Sequence, residues 1–90
     1  MKFDVFWTQE AYHSLADLLN TGGEEEAILN AVEAIEDALG EEPARKGESR
    51  GAGERIYISP PLVALFRVHW RLNEVLIGKV WAIHRKDKGE

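Results

Sequence analysis

Three runs of alternating side chains in residues 54–86 constrain the fold most, because they hold most of the β-branched and aromatic residues. A two-residue period places neighbouring side chains on opposite faces of a sheet. The middle run therefore has two faces, with Leu62, Ala64, Phe66 and Val68 on one and Val63, Leu65, Arg67 and His69 on the other. We expect the first set to face the core. The second set marks an uncovered surface, the open face.

The two flanking runs extend both faces. The earlier run separates Ile56 and Ile58 from Arg55 and Tyr57, and the later run separates Leu76, Val80 and Ala82 from Lys79, Trp81 and Arg85. The predicted open face thus combines cations with aromatic rings, namely Arg55, Tyr57, Arg67, Lys79, Trp81 and Arg85. Strict alternation places His84 on the core side of the last run.

The first half of the chain predicts one strand followed by two helices. Residues 2–7 alternate, and Thr8 is a suitable N-cap for a helix over residues 9–20 because its hydroxyl can accept a bond from a free amide. Gly22 and Gly23 interrupt the helical spacing. A second helix over residues 24–39 begins with three glutamates and is followed by Gly40 as its C-cap.

Residues 41–53 read as a loop rich in glycine and charge that holds Arg45, Lys46 and Arg50. Pro60 and Pro61 join the first two runs, since proline cannot donate to a sheet ladder. Residues 71–73 make the turn between the last two. The order β-α-α-β-β-β predicts an α+β fold, with a helical hairpin on one face of a small antiparallel sheet. We expect residues 1–90 to form a single domain.

Charge is distributed unevenly along the chain, although its net value is −5. Residues 1–42 carry one lysine and eleven acidic residues, which gives −10, whereas residues 43–90 carry ten Lys or Arg and five acidic residues, which gives +5. This asymmetry suggests an anionic partner for the second half. A purely solubilising role for the acidic helices explains it equally well.

The hydropathy pattern and the amino-acid composition favour a cytoplasmic protein. No apolar run approaches the roughly 20 residues of a membrane helix, and no leader with a cleavage site is apparent. The chain has no cysteine, which excludes disulfides and thiolate zinc sites within it.

The order of elements, combined with certain short segments, resembles one known family. The segments are Thr8-Gln9-Glu10-Ala11, Ser49-Arg50-Gly51 and Arg55-Ile56-Tyr57, then Leu65-Phe66-Arg67-Val68 and Val80-Trp81-Ala82-Ile83-His84-Arg85, together with Pro43 and Gly47. Nearly the whole chain thereby resembles the RelE/ParE superfamily of toxin–antitoxin toxins. RelE-like members are metal-independent ribonucleases that cut messenger RNA on the ribosome, and ParE-like members inhibit DNA gyrase. The resemblance implies one of these targets, a neutralising antitoxin encoded nearby, and no cofactor.

The open face favours RNA cleavage over gyrase inhibition. Metal-free cleavage requires a group that deprotonates the ribose 2′-hydroxyl, cations that stabilise the phosphorane, and an acid for the leaving oxygen. We expect Arg55, Arg67 and His84 to fill the catalytic roles, His84 matching the near-terminal histidine of YoeB-type members. Tyr57 and Trp81 suit base stacking. We expect the phosphates to be bound by Arg45, Lys46, Arg50, Lys79 and Arg85.

Other interpretations of the same residues stay open. Arg67, His69 and Lys79 are also suitable cross-strand partners for Glu54 and Glu74. Trp81 and His84 are equally suited to packing roles. Val63 stands where RelE-type sequences usually carry an arginine, which favours a ParE-like inhibitor or a catalytically silent binding member. An antitoxin has two candidate docking surfaces, the open face and the acidic hairpin near Glu33, Glu36 and Asp37.

Overall fold

The computed structural model describes residues 2–21, 24–43, 48–51 and 53–83, without the side chains of residues 48–50. These residues form two α-helices, five β-strands and one 3₁₀ turn. In chain order the elements are β1 (Asp4–Trp7), α1 (Gln9–Thr21), α2 (Glu25–Glu41), β2 (Glu48–Gly51), β3 (Glu54–Ser59), β4 (Leu62–His69), the turn Trp70–Leu72 and β5 (Glu74–Ala82). The α+β class is confirmed.

The strands form one sheet in the order β1-β5-β4-β3-β2. The pairs β5–β4, β4–β3 and β3–β2 are antiparallel, whereas β1 lies parallel to β5. Strand β2 falls within residues 41–53, which were expected to be loop throughout, and it adds an edge strand to the predicted set. Its pairing with β3 is irregular between Ser49 and Gly51, and Gly51 and Gly53 adopt positive φ angles there.

Both helices pack on the same face of the sheet, as predicted. The buried core combines Ala11 and Leu15 of α1, Ile28, Ala31, Ile35 and Leu39 of α2, and Leu62, Ala64, Phe66, Val75, Ile77 and Val80 of the sheet. The alternation of β4 is confirmed, since Leu62, Ala64 and Phe66 lie in this core with Val68 packed against it. On the opposite side Arg67 and His69 are exposed as expected, whereas Leu65 is half-buried and Val63 is buried.

The facing predicted for β3 is wrong. Arg55 and Tyr57 lie directly opposite Phe66 and Ala64 of β4, so they point to the helix-covered side, and Tyr57 packs against the core. Ile56 and Ile58 lie opposite Leu65 and Val63 and therefore occupy the open face. Alternation separated the two pairs correctly, but only the register with β4 decides which pair meets the helices.

The facing predicted for β5 is correct at its end and wrong at its start. Lys79 lies opposite Leu65, but Ile77 lies opposite Phe66, so Gly78 is an extra residue in the strand. Such a β-bulge shifts the alternation by one residue. Val80 and Ala82 thus face the helices as expected, whereas Leu76 lies on the open face and is 44% exposed.

Thr8 caps α1 as expected and also ties the helix to the bulge. Its Oγ1 accepts a hydrogen bond from the Ala11 backbone amide at 3.1 Å and donates to the Gly78 carbonyl at 3.2 Å. Its own backbone amide donates to the Ile77 carbonyl at 2.9 Å. One side chain therefore sets where α1 begins and how it meets β5.

We expect Thr8→Ala to lower the free energy of unfolding by about 1–2 kcal/mol, because it removes a helix cap and a bond to the sheet. Urea denaturation measures this change. Thr8→Ser keeps the hydroxyl and should recover most of the lost stability. Equal losses in the two variants would show that the methyl group, rather than the oxygen, provides the stability.

Helix α2 extends two residues beyond its predicted end. Gly40 lies inside the last turn rather than at the cap, and its carbonyl accepts a 2.7 Å hydrogen bond from the backbone amide of Phe3. A β-carbon at Gly40 would stand 3.4 Å from the Phe3 carbonyl oxygen. This glycine therefore allows α2 to approach the start of β1 closely. Neither described helix has the length and apolar character needed to cross a lipid bilayer.

Candidate functional site

The open face brings together three of the predicted site residues. Arg67 is on β4, while Lys79 and Trp81 are on the adjacent strand β5, opposite Leu65 and Val63. All three side chains are exposed, and Trp81 retains 43% of its surface. A guanidinium, an ammonium and an indole ring thus lie on one surface, a combination that suits a phosphate and an unstacked base.

Arg67 has a carboxylate neighbour across the strands. Its Nη2 atom lies 3.5 Å from Oε2 of Glu54, the residue directly opposite on β3. Arg67 is more than half exposed, so this pair contributes little to stability. The cross-strand pair that the sequence offered for Arg67 and Glu54 is therefore present in the structure. His69 and Glu74 are likewise opposite each other in the register.

Arg55 and Tyr57 do not belong to this surface. Both lie on the helix-covered side of β3 and are half-buried, and the Nε atom of Arg55 is fully buried. The expectation that Arg55 and Arg67 project side by side is wrong, because residues 55 and 67 lie on opposite sides of the sheet. The physical cause is that Tyr57 lies opposite Ala64 and packs against the core. Arg55 is two residues away on the same strand, so its side chain lies on the same side of the sheet.

Four further predicted residues, Arg45, Lys46, His84 and Arg85, lie outside the described residues. Arg50 is within β2, but its side chain is likewise outside them. The roles assigned to these five residues remain predictions.

The open face is more apolar than the sequence suggested. Phe6 of β1 lies beside Leu76 of β5 in the parallel pair, and these side chains are 47% and 44% exposed. Ile58 and Trp81 continue the exposed apolar surface at the other end of the strands. On strands β1, β3, β4 and β5 the face carries two Lys or Arg side chains, Arg67 and Lys79, against the acidic residues Asp4, Glu54 and Glu74.

Sequence reasoning missed Phe6 and Leu76 as members of this surface. Phe6 alternates with Val5 and Trp7 and is a large apolar side chain on the side away from the core, which was a usable signal. Leu76 carried no such signal, because its facing depends on the bulge at Gly78.

No protein-family model matches the sequence, and no curated protein matches it either. Several solved structures do match this chain. A chain of the toxin–antitoxin complex RelBE2 from Mycobacterium tuberculosis matches with a TM-score of 0.75 and 26% identity, over 97% of this chain and 95% of that one.

Two further structures share the fold at lower identity. A chain of the chromosomal ParDE system from P. aeruginosa matches with a TM-score of 0.58 and 22% identity, over 92% of this chain and 98% of that one. A chain of the archaeal RelE–RelB complex from Pyrococcus horikoshii OT3 matches with a TM-score of 0.58 and 18% identity, over 96% and 100% of the two chains. The chain thus shares its fold and nearly its full length with chains of these toxin–antitoxin systems, and the RelBE2 match supports its placement in the RelE/ParE superfamily of toxins.

Proposed function

We propose that this chain is a RelE-like toxin that acts in the cytoplasm as a single domain and cleaves messenger RNA without a metal ion. The observation that carries the proposal is the grouping of Arg67, Lys79 and Trp81 on the open face. The structural matches include chains of both RelE-type and ParE-type systems, so the choice of target rests on this surface.

The proposed reaction is an internal transfer at one phosphate. The ribose 2′-oxygen attacks the adjacent phosphorus as it loses its proton to a base, and the bond from phosphorus to the 5′-oxygen breaks. The departing 5′-oxygen takes up a proton from an acid. Charge accumulates on the phosphorane oxygens, so cations held at that position lower the barrier.

Arg67 is the described residue best suited to the phosphorane, because a guanidinium presents paired donors to phosphate oxygens. Lys79 serves a neighbouring phosphate, and Trp81 stacks on a base beside the cleaved bond. We assign the proton transfers to His84, because histidine exchanges protons near neutral pH. Arg45, Lys46, Arg50 and Arg85 complete the phosphate contacts in this proposal. Arg55 has no part in it, since its strand position directs it to the other side of the sheet.

A ParE-like inhibitor of DNA gyrase is the second candidate. The apolar character of the open face favours it, because an exposed surface with Phe6, Leu76 and Ile58 suits contact with a protein better than contact with RNA. Val63, where RelE-type sequences usually have arginine, is buried within the sheet and supplies no charge.

The proposed partner in either case is an antitoxin. The three matched structures come from toxin–antitoxin systems, which supports such a partner for this chain. We infer that a short protein encoded beside the gene for this chain binds it and suppresses its toxicity.

Expression of the chain alone distinguishes the candidates in one culture. We expect primer extension to reveal new 5′ ends within translated messenger, while plasmid supercoiling stays normal. Relaxed plasmid with intact messenger would replace the ribonuclease proposal by the gyrase one. Intact messenger together with normal supercoiling and growth would indicate a catalytically silent binding member and would contradict both.

A further inference from the structure

The bulge in β5 leaves a depression in the open face. Gly78 has no side chain, and a β-carbon built there would meet no atom within 4 Å. The resulting cavity of about 140 Å³ is lined by Glu54, Leu65, Phe66, Arg67, Leu76 and Gly78. This Gly78 cavity is therefore space that the fold itself does not fill, at a position where the backbone tolerates a side chain.

The surroundings of the Gly78 cavity combine apolar side chains with the Arg67–Glu54 pair and an exposed lysine. Leu76 forms part of its wall and adjoins Phe6 of β1, and both side chains are nearly half exposed. Arg67 lies beside Leu76 on the neighbouring strand together with its carboxylate partner Glu54, and Lys79 follows Gly78 directly on the same face. A ligand that fits must therefore present an apolar group beside a negative one.

The size of the cavity excludes a cofactor. Pockets for small molecules usually span about 300–1,000 Å³, and this cavity is less than half the lower value. A single aliphatic side chain is a suitable occupant. The flanking apolar side chains, Phe6 and Leu76, extend the contact along a segment of chain, which favours a peptide at this end of the open face, since contacts to nucleic acid are mostly polar.

We propose that the Gly78 cavity is an anchor site for an aliphatic side chain of the antitoxin, with an acidic residue of the same segment contacting Lys79. This inference rests on the proposed function, because it requires an antitoxin partner. It assigns docking to the open face rather than to the acidic helical hairpin. Buried anchors of this kind provide a large share of the affinity of an interface.

The test uses the full chain and the short protein encoded beside its gene, with the dissociation constant measured by titration calorimetry. Gly78→Val fills the cavity and should weaken binding at least about tenfold, as loss of a buried anchor does. Leu76→Asp places a negative charge in the cavity wall against the acidic segment and should weaken binding by a similar factor. The matched control is Leu29→Ala, which changes an exposed aliphatic residue on α2 and should bind as the parent does.

Each outcome has a distinct meaning. If the parent binds and both cavity variants bind equally well, the anchor site is wrong while the proposed function stands. If Leu29→Ala weakens binding and Gly78→Val does not, the partner docks on the helices. If the cavity variants keep their affinity for the neighbouring protein but lose messenger cleavage, the cavity holds RNA. If the parent itself does not bind, the partner assignment of the proposed function fails and the anchor site fails with it.

Discussion

Replacing Arg67 by alanine is expected to slow messenger cleavage by at least about 100-fold, the usual consequence of removing one preorganised donor from a developing negative charge. Arg67 is exposed on the open face and lies 3.5 Å from Glu54, so its removal leaves no buried charge behind. The stability of the protein should therefore change little. The measurement is single-turnover cleavage of ribosome-bound messenger by the purified protein.

Two variants control this result. Arg71→Ala removes the same charge from the exposed turn Trp70–Leu72, beyond the end of β4, and should cleave within about threefold of the parent, because solvent and salt screen an exposed charge. Arg67→Lys keeps the charge but not the paired donors, so an intermediate rate is expected. Full activity of Arg67→Ala would contradict the assigned role. Equal losses of cleavage rate in Arg67→Ala and Arg71→Ala would show that Arg67 acts only through general electrostatic attraction of RNA.

Replacing Phe66 by alanine should lower the free energy of unfolding by about 3–5 kcal/mol. Phe66 is 1% exposed at the centre of β4 and is among the largest fully buried side chains of the described residues. Its truncation removes a large apolar group from the core that the sheet shares with the helices and leaves a cavity in its place. Each kcal/mol corresponds to roughly 4–8 °C in the unfolding temperature of a domain this small, so calorimetry or urea denaturation will detect the loss easily.

Phe6 provides the matched control. It is also a strand phenylalanine, but it lies on the open face and is 47% exposed. We expect Phe6→Ala to change the free energy of unfolding by less than about 1 kcal/mol, because it opens no buried cavity. A loss comparable to that of Phe66→Ala would show that the open face carries stability of its own, which would contradict its description as an uncovered surface.

The residue types and their spacing were sufficient for the α+β class, the positions of both helices and the facing of β4. These features depend on local physics, since a helix shows its stripe every three to four residues and a strand alternates every two. Thr8 is a clear example. A hydroxyl ahead of a helical stripe indicates the first turn, and its bond to the Ala11 amide confirms it.

The composition of the open face depended on contacts between strands that are distant in the sequence. Alternation separates Arg55 and Tyr57 from Ile56 and Ile58, but both pairs contain groups able to pack. The register that sets Tyr57 opposite Ala64 placed Arg55 on the helix side. In β5 the extra residue Gly78 shifted the alternation, so Leu76 turned outward. The sequence by itself thus determined the two helices and the alternation within β3 and β4, because these depend on local spacing. Only pairing in three dimensions added the edge strand β2, introduced the bulge in β5 and decided which face of each strand the helices cover.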